Sequence, residues 1–416
     1  MQRVLTILAL VVAGEVVFVL PFHVARFVRP TMLDVFGYTN TQLGDLFAVY
    51  GIAAAVAYFP GGALADRYSA RALLAASLGT TAAGGLYMAT IPGPVQMALL
   101  YGYWGVTTIF LFWGALIRAT REWGGEATQG MAFGVLDAGR GLTAAVLSLA
   151  AVNLLALYLP EAAETGTAIQ RRGGLQSIII LYTAATLAAA ALVWFLIPSA
   201  HPRAMSDRSV FTGIAEVLRM PRIWAQAGVI IGAYCGYKAV DNYSLYAVEV
   251  LGMDEVEGAR LSSYGAYVRP VAALVAGFIA DRLDATRSIG VSFLVLAAAY
   301  FQLSWLTPAN AGMGVIIANL FITLFAVFAL RGIYFALLAD THTPRRLTGT
   351  AVGVISFVGF TPEIFFGPIA GRILDASPGV AGHLNLFRTL GVVALMGAAM
   401  AAWLLWLRRN DDQQLT

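Results

Sequence analysis

The chain has 416 residues, of which 59% are hydrophobic and 12% charged, with a mean hydropathy of +0.75 and a formal net charge of +3. Soluble domains carry about 25% charged residues, so this composition excludes a water-soluble domain, along with collagen-like, disordered and disulfide-stapled chains. It is the composition of a polytopic membrane protein, and the small net charge gives no sign of a nucleic-acid partner.

A spanning helix needs about 20 apolar residues. Stretches of that kind are predicted in chain order near 5–28, 43–65, 72–91, 95–117, 130–158 and 175–197. After a polar segment they resume near 223–250, 258–280, 288–306, 313–338, 348–373 and 387–407. The first resembles a signal peptide in following Arg3, but it is too long, holds Glu15 in its apolar core and lacks a small-residue cleavage site, so it reads as a span. Cys235 is the only cysteine and has no intrachain disulfide partner.

Orientation follows from the arginines of the short loops. A cytoplasmic N-terminus places fifteen arginines at cytoplasmic ends, against at most six on the other side (Arg29, Arg171, Arg172, Arg260, Arg372 and Arg388). Both termini are then cytoplasmic, which agrees with an even number of spans. The longest cytoplasmic connection divides the chain into a six-helix half at 1–198, a linker at 199–222 and a second half at 223–416. Apolar residues at helical spacing from Val210 to Leu218 predict a short linker helix, with a membrane-surface position as the second reading.

The halves repeat each other. Gly62-Ala-Leu-Ala-Asp66-Arg67, with Arg71 after it, ends the second span; Gly277-Phe-Ile-Ala-Asp281-Arg282, with Arg287 after it, ends the eighth. Gly130-Met-Ala-Phe-Gly134 and Gly349-Thr-Ala-Val-Gly353 open the fifth and eleventh. Parallel six-span repeats imply a pseudo-twofold axis along the membrane normal and a binding site near the midplane.

These two Asp-Arg loops resemble the signature loop between spans two and three of the major facilitator superfamily and its degenerate copy between spans eight and nine. The resemblance implies an all-α membrane protein with twelve transmembrane helices in two pseudo-symmetric six-helix bundles. It also implies a gating role for Gly62, Asp66, Arg67, Arg71, Asp281 and Arg282. Gly62 would let helices approach closely, and Asp66 would face the positive N-terminal end of the eleventh span and latch the cytoplasmic side.

Charge inside the bilayer costs roughly 2.5–3.5 kcal/mol per residue even on a lenient scale, so each instance needs a reason. Nine candidates lie within spans: Glu15, Arg26, Asp137, Arg140, Lys238, Asp241, Arg269, Arg331 and Glu363. Four are acidic and five basic, a balance that favours a small anion or zwitterion as cargo. Asp137–Arg140 and Lys238–Asp241 are spaced i, i+3; each is either an ion pair neutralising its own helix or part of a site. The chain's only lysine is Lys238, while every loop cation is arginine.

Arg269 has no acidic residue within one turn and is the foremost substrate candidate, a guanidinium fork suited to an oxyanion. Lys238, Arg140 and Arg26 join it, although Arg26 also fits snorkelling to the headgroups. Tyr237, Tyr264 and Tyr267 are the aromatic contacts closest along the chain. Glu15, Asp137, Asp241 and Glu363 are candidate proton carriers, because a buried carboxylate gains or loses its proton as a basic partner leaves or arrives.

No phosphate loop, zinc motif or serine elbow is present, so neither ATP-driven pumping nor enzymatic chemistry is expected, and no cofactor or metal is called for. The expected function is secondary transport of a small-molecule organic or inorganic anion or zwitterion by alternating access. Coupling would be to protons or a counter-anion, in a multi-pass monomer of the inner membrane lipid bilayer. A central arginine on span eight resembles the anion-handling branches of the superfamily. A drug–proton antiporter and a transporter-like sensor are the alternatives; the fifth span lacks the proline that the first of these usually carries, but Gly367-Pro368 occurs in the eleventh.

Overall fold

The computed structural model describes residues 2–125, 129–159, 167–199, 213–334, 337 and 348–415. Among these the regular structure is helical, with no strand. In chain order the elements are α1 (Gln2–Val16), a π-helical turn (Val19–His23), α2 (Val24–Phe27), α3 (Arg29–Phe36), α4 (Asn40–Arg67), α5 (Ala70–Met88) and α6 (Pro94–Thr108). A second π turn (Ile109–Trp113) leads into α7 (Gly114–Gly124), then α8 (Gln129–Ala156), α9 (Ala168–Leu196) and α10 (Ile214–Leu218). Next come α11 (Pro221–Ala239), a 3-10 turn (Val240–Asn242), α12 (Tyr243–Glu249), α13 (Glu255–Ala266) and α14 (Val268–Leu283). The chain finishes with α15 (Ala285–Leu303), α16 (Met313–Ile333), α17 (Thr348–Gly359), α18 (Pro362–Ala376) and α19 (Val380–Leu415).

Local chemistry sets many of these starts. Thr39 with Gln42, Thr167 with Gln170 and Asp254 with Glu257 form reciprocal capping boxes at α4, α9 and α13, satisfying backbone N–H groups that have no partner in the first turn. Pro94, Pro221 and Pro362 occupy first-turn positions, where the missing N–H costs nothing. Among the described residues, nine helices are individually long and apolar enough to cross a membrane. The expected second, third and seventh spans are helical as well, in α4, α5 and α11, but α5 is diluted by Gly, Ser and Thr and α11 by Arg222, Gln226 and Lys238. Of the expected linker helix only α10 is described, and 200–212 lie outside the described residues.

The chain packs as two compact units. Unit 1 comprises Met1–Met205, Asp241–Pro270 and Gly367–Gly371; unit 2 comprises Ser206–Val240, Val271–Phe366 and Arg372–Thr416. In unit 1, Trp104, Tyr101, Tyr182 and Phe112 are fully buried. Hydrogen bonds join its helices: Ser77 Oγ donates to Thr107 O at 2.7 Å, Trp104 Nε1 to Thr81 O at 3.1 Å, and the Tyr50 and Thr108 hydroxyls meet at 2.6 Å. Side-chain hydroxyls and small residues take over helix association where water supplies no hydrophobic drive. In the same unit α4 and α18 touch backbone to backbone. A Cβ on Gly44 would fall 2.2 Å from Gly367 O, and one on Gly371 would fall 2.4 Å from Asn40 O. Unit 2 is built around Phe293 and Tyr300, both fully buried, with Tyr300 stacked on Phe387 at 5.9 Å.

Candidate functional site

Unit 1 holds a buried ionic cluster centred on Glu15, which is 2% exposed. Glu15 Oε1 lies 3.2 Å from His23 Nε2; Oε2 accepts from Arg140 Nε at 3.0 Å and sits 3.5 Å from Arg269 Nη1. Arg269 Nη2 in turn donates to Asp137 Oδ1 at 2.5 Å. Backbone geometry makes the first contact. Side chains eight residues apart on a regular α-helix point about 80° apart, and the one residue added by the π turn Val19–His23 brings them within about 20°. Glycines make room for both arginines: a Cβ on Gly14 would lie 3.3 Å from Arg140 Cδ, and one on Gly141 3.1 Å from Arg269 Cδ. Arg140 also lies over the rings of Phe18 (5.7 Å) and Trp113 (5.9 Å).

The arrangement departs from the two expected i, i+3 pairs. Arg140 pairs with Glu15, and Asp137 pairs with Arg269. An i, i+3 pair on one helix is worth only about 0.2–0.5 kcal/mol, whereas leaving one partner of a buried pair unmatched costs about 3–5 kcal/mol. Partners on other helices therefore prevail. Arg269, expected to be an open fork, is held by two carboxylates. Asp241, expected opposite Lys238, accepts from Arg26 Nε at 2.5 Å. Arg26 is thereby 7% exposed, which removes the snorkelling reading, and its own carbonyl accepts from Ser244 Oγ at 2.9 Å.

Beyond that pair, Arg171 Nε donates to Glu255 Oε1 at 2.6 Å, Thr31 Oγ1 donates to Glu255 Oε2, and Arg171 Nη1 lies 3.6 Å from Asp34. Glu255 was not expected at a site, and His23 was not expected to meet Glu15. The signal for Glu255 was confined to its position behind the Asp254 cap, and for His23 to its separation from Glu15, which only a π turn converts into contact. Tyr264 and Tyr267 are 49% and 36% exposed.

Unit 2 carries a second cluster. Lys238 Nζ donates to Glu363 Oε1 at 3.1 Å, and Tyr234 OH donates to Oε2 at 2.5 Å. Arg331 Cζ lies 3.8 Å from the Tyr237 ring centroid and 5.9 Å from that of Tyr234. Tyr234 also packs against Phe360, with centroids 5.1 Å apart. Sequence reasoning included Lys238, Tyr237 and Glu363 but could not join them, because Glu363 is more than a hundred residues away along the chain.

The loop motifs are placed in part. Arg67 is exposed, Arg71 lies 5.0 Å over the Trp194 ring, and Arg282 lies 4.2 Å over Phe278. The side chains of Asp66 and Asp281 lie outside the described residues. The expected close approach at Gly62 is made by its neighbour instead. A Cβ on Gly62 would meet nothing within 4 Å, while one on Gly61 would fall 3.0 Å from Phe110 O. The carbonyls ending α4 are capped by Arg118, which donates to Ala65 O and, at 2.8 Å, to Tyr68 O.

Chemically, three carboxylates (Glu15, Asp137, Asp241) face three guanidiniums (Arg26, Arg140, Arg269) in unit 1. Such groups can exchange partners or take up protons, and among the described residues no cluster of His, Cys, Asp and Glu suits a metal ion.

Comparison with known proteins agrees with this architecture. The chain is 26% identical over 378 residues to the inner membrane protein YqcE of Escherichia coli, covering 88% of this chain and 85% of that one. It is 26% identical over 267 residues to the probable nitrate/nitrite antiporter NarK1 of Thermus thermophilus, covering 63% and 58%. A D-xylose-proton symporter shares its fold, with a TM-score of 0.73 at 15% identity over 97% of this chain and 96% of that one. The family model for the Major Facilitator Superfamily matches residues 11–367. With its repeated Asp-Arg loops and that match over most of its length, the chain belongs to the Major Facilitator Superfamily of membrane transporters.

Proposed function

We propose that this transporter moves a small organic or inorganic anion, or a zwitterion, by alternating access of its halves 1–198 and 223–416, coupled to protons or to a counter-anion. The observation that carries this reading is the Glu15 carboxylate held among Arg140, Arg269 and His23. Guanidiniums in a dry interior are matched by the protein's own carboxylates while the site is empty. An arriving anion competes with those carboxylates, and a carboxylate that loses its guanidinium takes up a proton. Proton and anion then move together, through Glu15 and Asp137 in one cluster and Glu363 in the other. Two similar proteins, a probable nitrate/nitrite antiporter and a D-xylose-proton symporter, support an anion or a proton as partner.

Both termini face the cytoplasm in this reading, and the Arg171–Glu255 and Arg26–Asp241 pairs close the outer side. Uptake into proteoliposomes under an imposed pH gradient tests it. Glu15→Gln, Asp137→Asn and Glu363→Gln should each weaken pH-driven accumulation, and Arg269→Ala should impair transport. Unchanged pH-driven transport in all three acid variants would refute proton coupling through these residues.

A further inference from the structure

The two oxygens of Glu15 are not equally open to a proton. Oε2 accepts from Arg140 Nε at 3.0 Å and lies 3.5 Å from Arg269 Nη1, so two guanidiniums fence it. Oε1 is met by His23 Nε2 at 3.2 Å. A positively charged proton donor is repelled by the guanidiniums, which leaves Oε1, and the imidazole stands on it.

The other nitrogen of His23 takes no part in that contact. Nδ1 is sealed from solvent and has no hydrogen-bond partner among the described residues, a state that costs a buried polar atom free energy. A histidine kept only to orient a neighbour has its far nitrogen tied to a carbonyl or carboxylate; this one does not. The ring is held edge-on by Phe27 and Tyr182, with centroids 5.2 and 6.3 Å away and planes at 82° and 81°. The Tyr182 hydroxyl, beside it, also has no partner among the described residues.

We propose that His23 is a proton relay, which takes up a proton at Nδ1 and passes the one on Nε2 to Glu15 Oε1. This rests on the proton-coupled reading above and adds the route by which Glu15 is protonated. While Glu15 is ionised the ring is neutral, with Nε2–H donating to the carboxylate and a bare lone pair on Nδ1. A hydronium ion gives its proton to Nδ1, where an N–H bond forms and water is left. The Nε2–H bond then breaks as an O–H bond forms on Oε1. The ring is neutral again as the Nδ1–H tautomer, and the Glu15 acid donates to the bare Nε2. Discharge runs the two steps backward. Neither step turns the ring, as its two aromatic walls require.

The charged groups acting on the ring are Glu15 on α1, Arg26 on α2 and Arg269 on α14. Asp241 and Asp137 stand behind the two arginines, and Arg140 of α8 lies beyond Glu15. Of the helices packed on the π turn, α9 brings Tyr182, and α5 brings Gly85, whose Cβ would fall 2.6 Å from Leu20.

The test uses the full-length protein carrying Arg140→Gln, in which Glu15 loses a guanidinium and takes up a proton in mildly acid buffer; Arg269→Gln takes its place if that chain does not fold. Infrared difference spectra follow the Glu15 acid as the C=O band missing after Glu15→Gln. Nitrogen NMR of histidine-labelled protein reads the ring of His23, assigned by the signals lost in His23→Gln. As Glu15 gains its proton, the ring proton should move from Nε2 to Nδ1. After a rapid drop in pH the acid band should form roughly a hundredfold more slowly in His23→Gln, the scale of a positioned proton donor, and reach the same height. A merely structural histidine would change the height or the midpoint pH instead. His23→Asn serves for both comparisons if His23→Gln does not fold.

An Nε2–H tautomer retained once Glu15 is protonated, or an unchanged rate in His23→Gln, overturns the relay and leaves Glu15 standing as a proton carrier. Protonation of both ring nitrogens with Glu15 still ionised makes His23 the carrier and overturns the relay as well. Absence of the acid band throughout the acid range overturns proton coupling through Glu15, and this inference with it.

Discussion

The contact between α4 and α18 in unit 1 can be perturbed with a single methyl group. Gly44→Ala would place a Cβ 2.2 Å from Gly367 O, 2.5 Å from Gly367 C and 2.9 Å from Pro368 N, all backbone atoms that no rotamer change can clear. Ordinary contact begins at 3.4 Å, so the two helices must part by about 1.2 Å, and overpacking of that size costs about 1–3 kcal/mol. If alternating access opens this seam, the same cost shifts the closed–open equilibrium toward open by roughly tenfold per 1.4 kcal/mol.

Two assays read this effect. Thermal melting of the purified protein should fall for Gly44→Ala and for Gly371→Ala, whose Cβ would lie 2.4 Å from Asn40 O. In a Cys235→Ser background, maleimide labelling of a cysteine at Thr41 should become faster in the Gly44→Ala protein. Gly79 in α5, whose Cβ would meet nothing within 4 Å, is the control. Gly79→Ala should be neutral or stabilising by about 0.5–1 kcal/mol, the helix preference for Ala over Gly. Wild-type melting and labelling in Gly44→Ala would refute the reasoning.

Glu15→Gln removes the charge that Arg140 and Arg269 share and should destabilise the protein by about 3–5 kcal/mol, read as a fall in melting temperature that Arg140→Gln in the same chain partly reverses. Arg26→Gln and Asp241→Asn should each be destabilising but non-additive, with a coupling of about 0.5–3 kcal/mol in a double-mutant cycle on melting or denaturant unfolding. Asp284, in the loop before α15, is pushed up by partial burial, but the Arg287 backbone N–H and the Arg408 guanidinium outweigh this and hold its carboxyl below the usual aspartate range. A lowered carboxyl contributes stability above its unfolded value near pH 4 that is lost as pH falls. The melting gap between wild type and Asp284→Asn should therefore be present at neutral pH, at about 1 kcal/mol or less because water screens the group, and should close on acidification toward pH 3.

Much of this was legible from residue types alone. Arginines in short loops and apolar stretches of spanning length carried the topology, because backbone groups in hydrocarbon must be satisfied within a helix. The same physics made in-span charges conspicuous. Their partners were not legible. Asp137 and Arg140 are neighbours on α8 and invite pairing, yet each turns to another helix. His23 reaches Glu15 only through an added residue in the π turn, and local sequence does not announce such a residue. The glycine that permits a close approach proved to be Gly61 rather than Gly62, a shift of one position around the helix.

The sequence by itself determined that the chain crosses a membrane about twelve times in two repeated halves, and it supplied a short list of polar residues buried at a cost. Tertiary structure decided how that list divides. Glu15, Asp137 and Asp241 meet Arg26, Arg140 and Arg269 in one unit, while Lys238 meets Glu363 and Arg331 lies on aromatic rings in the other. Helical periodicity reports which face a residue occupies, but not the height or rotation of the helix opposite. A buried charge takes whichever partner that register brings within about 3 Å.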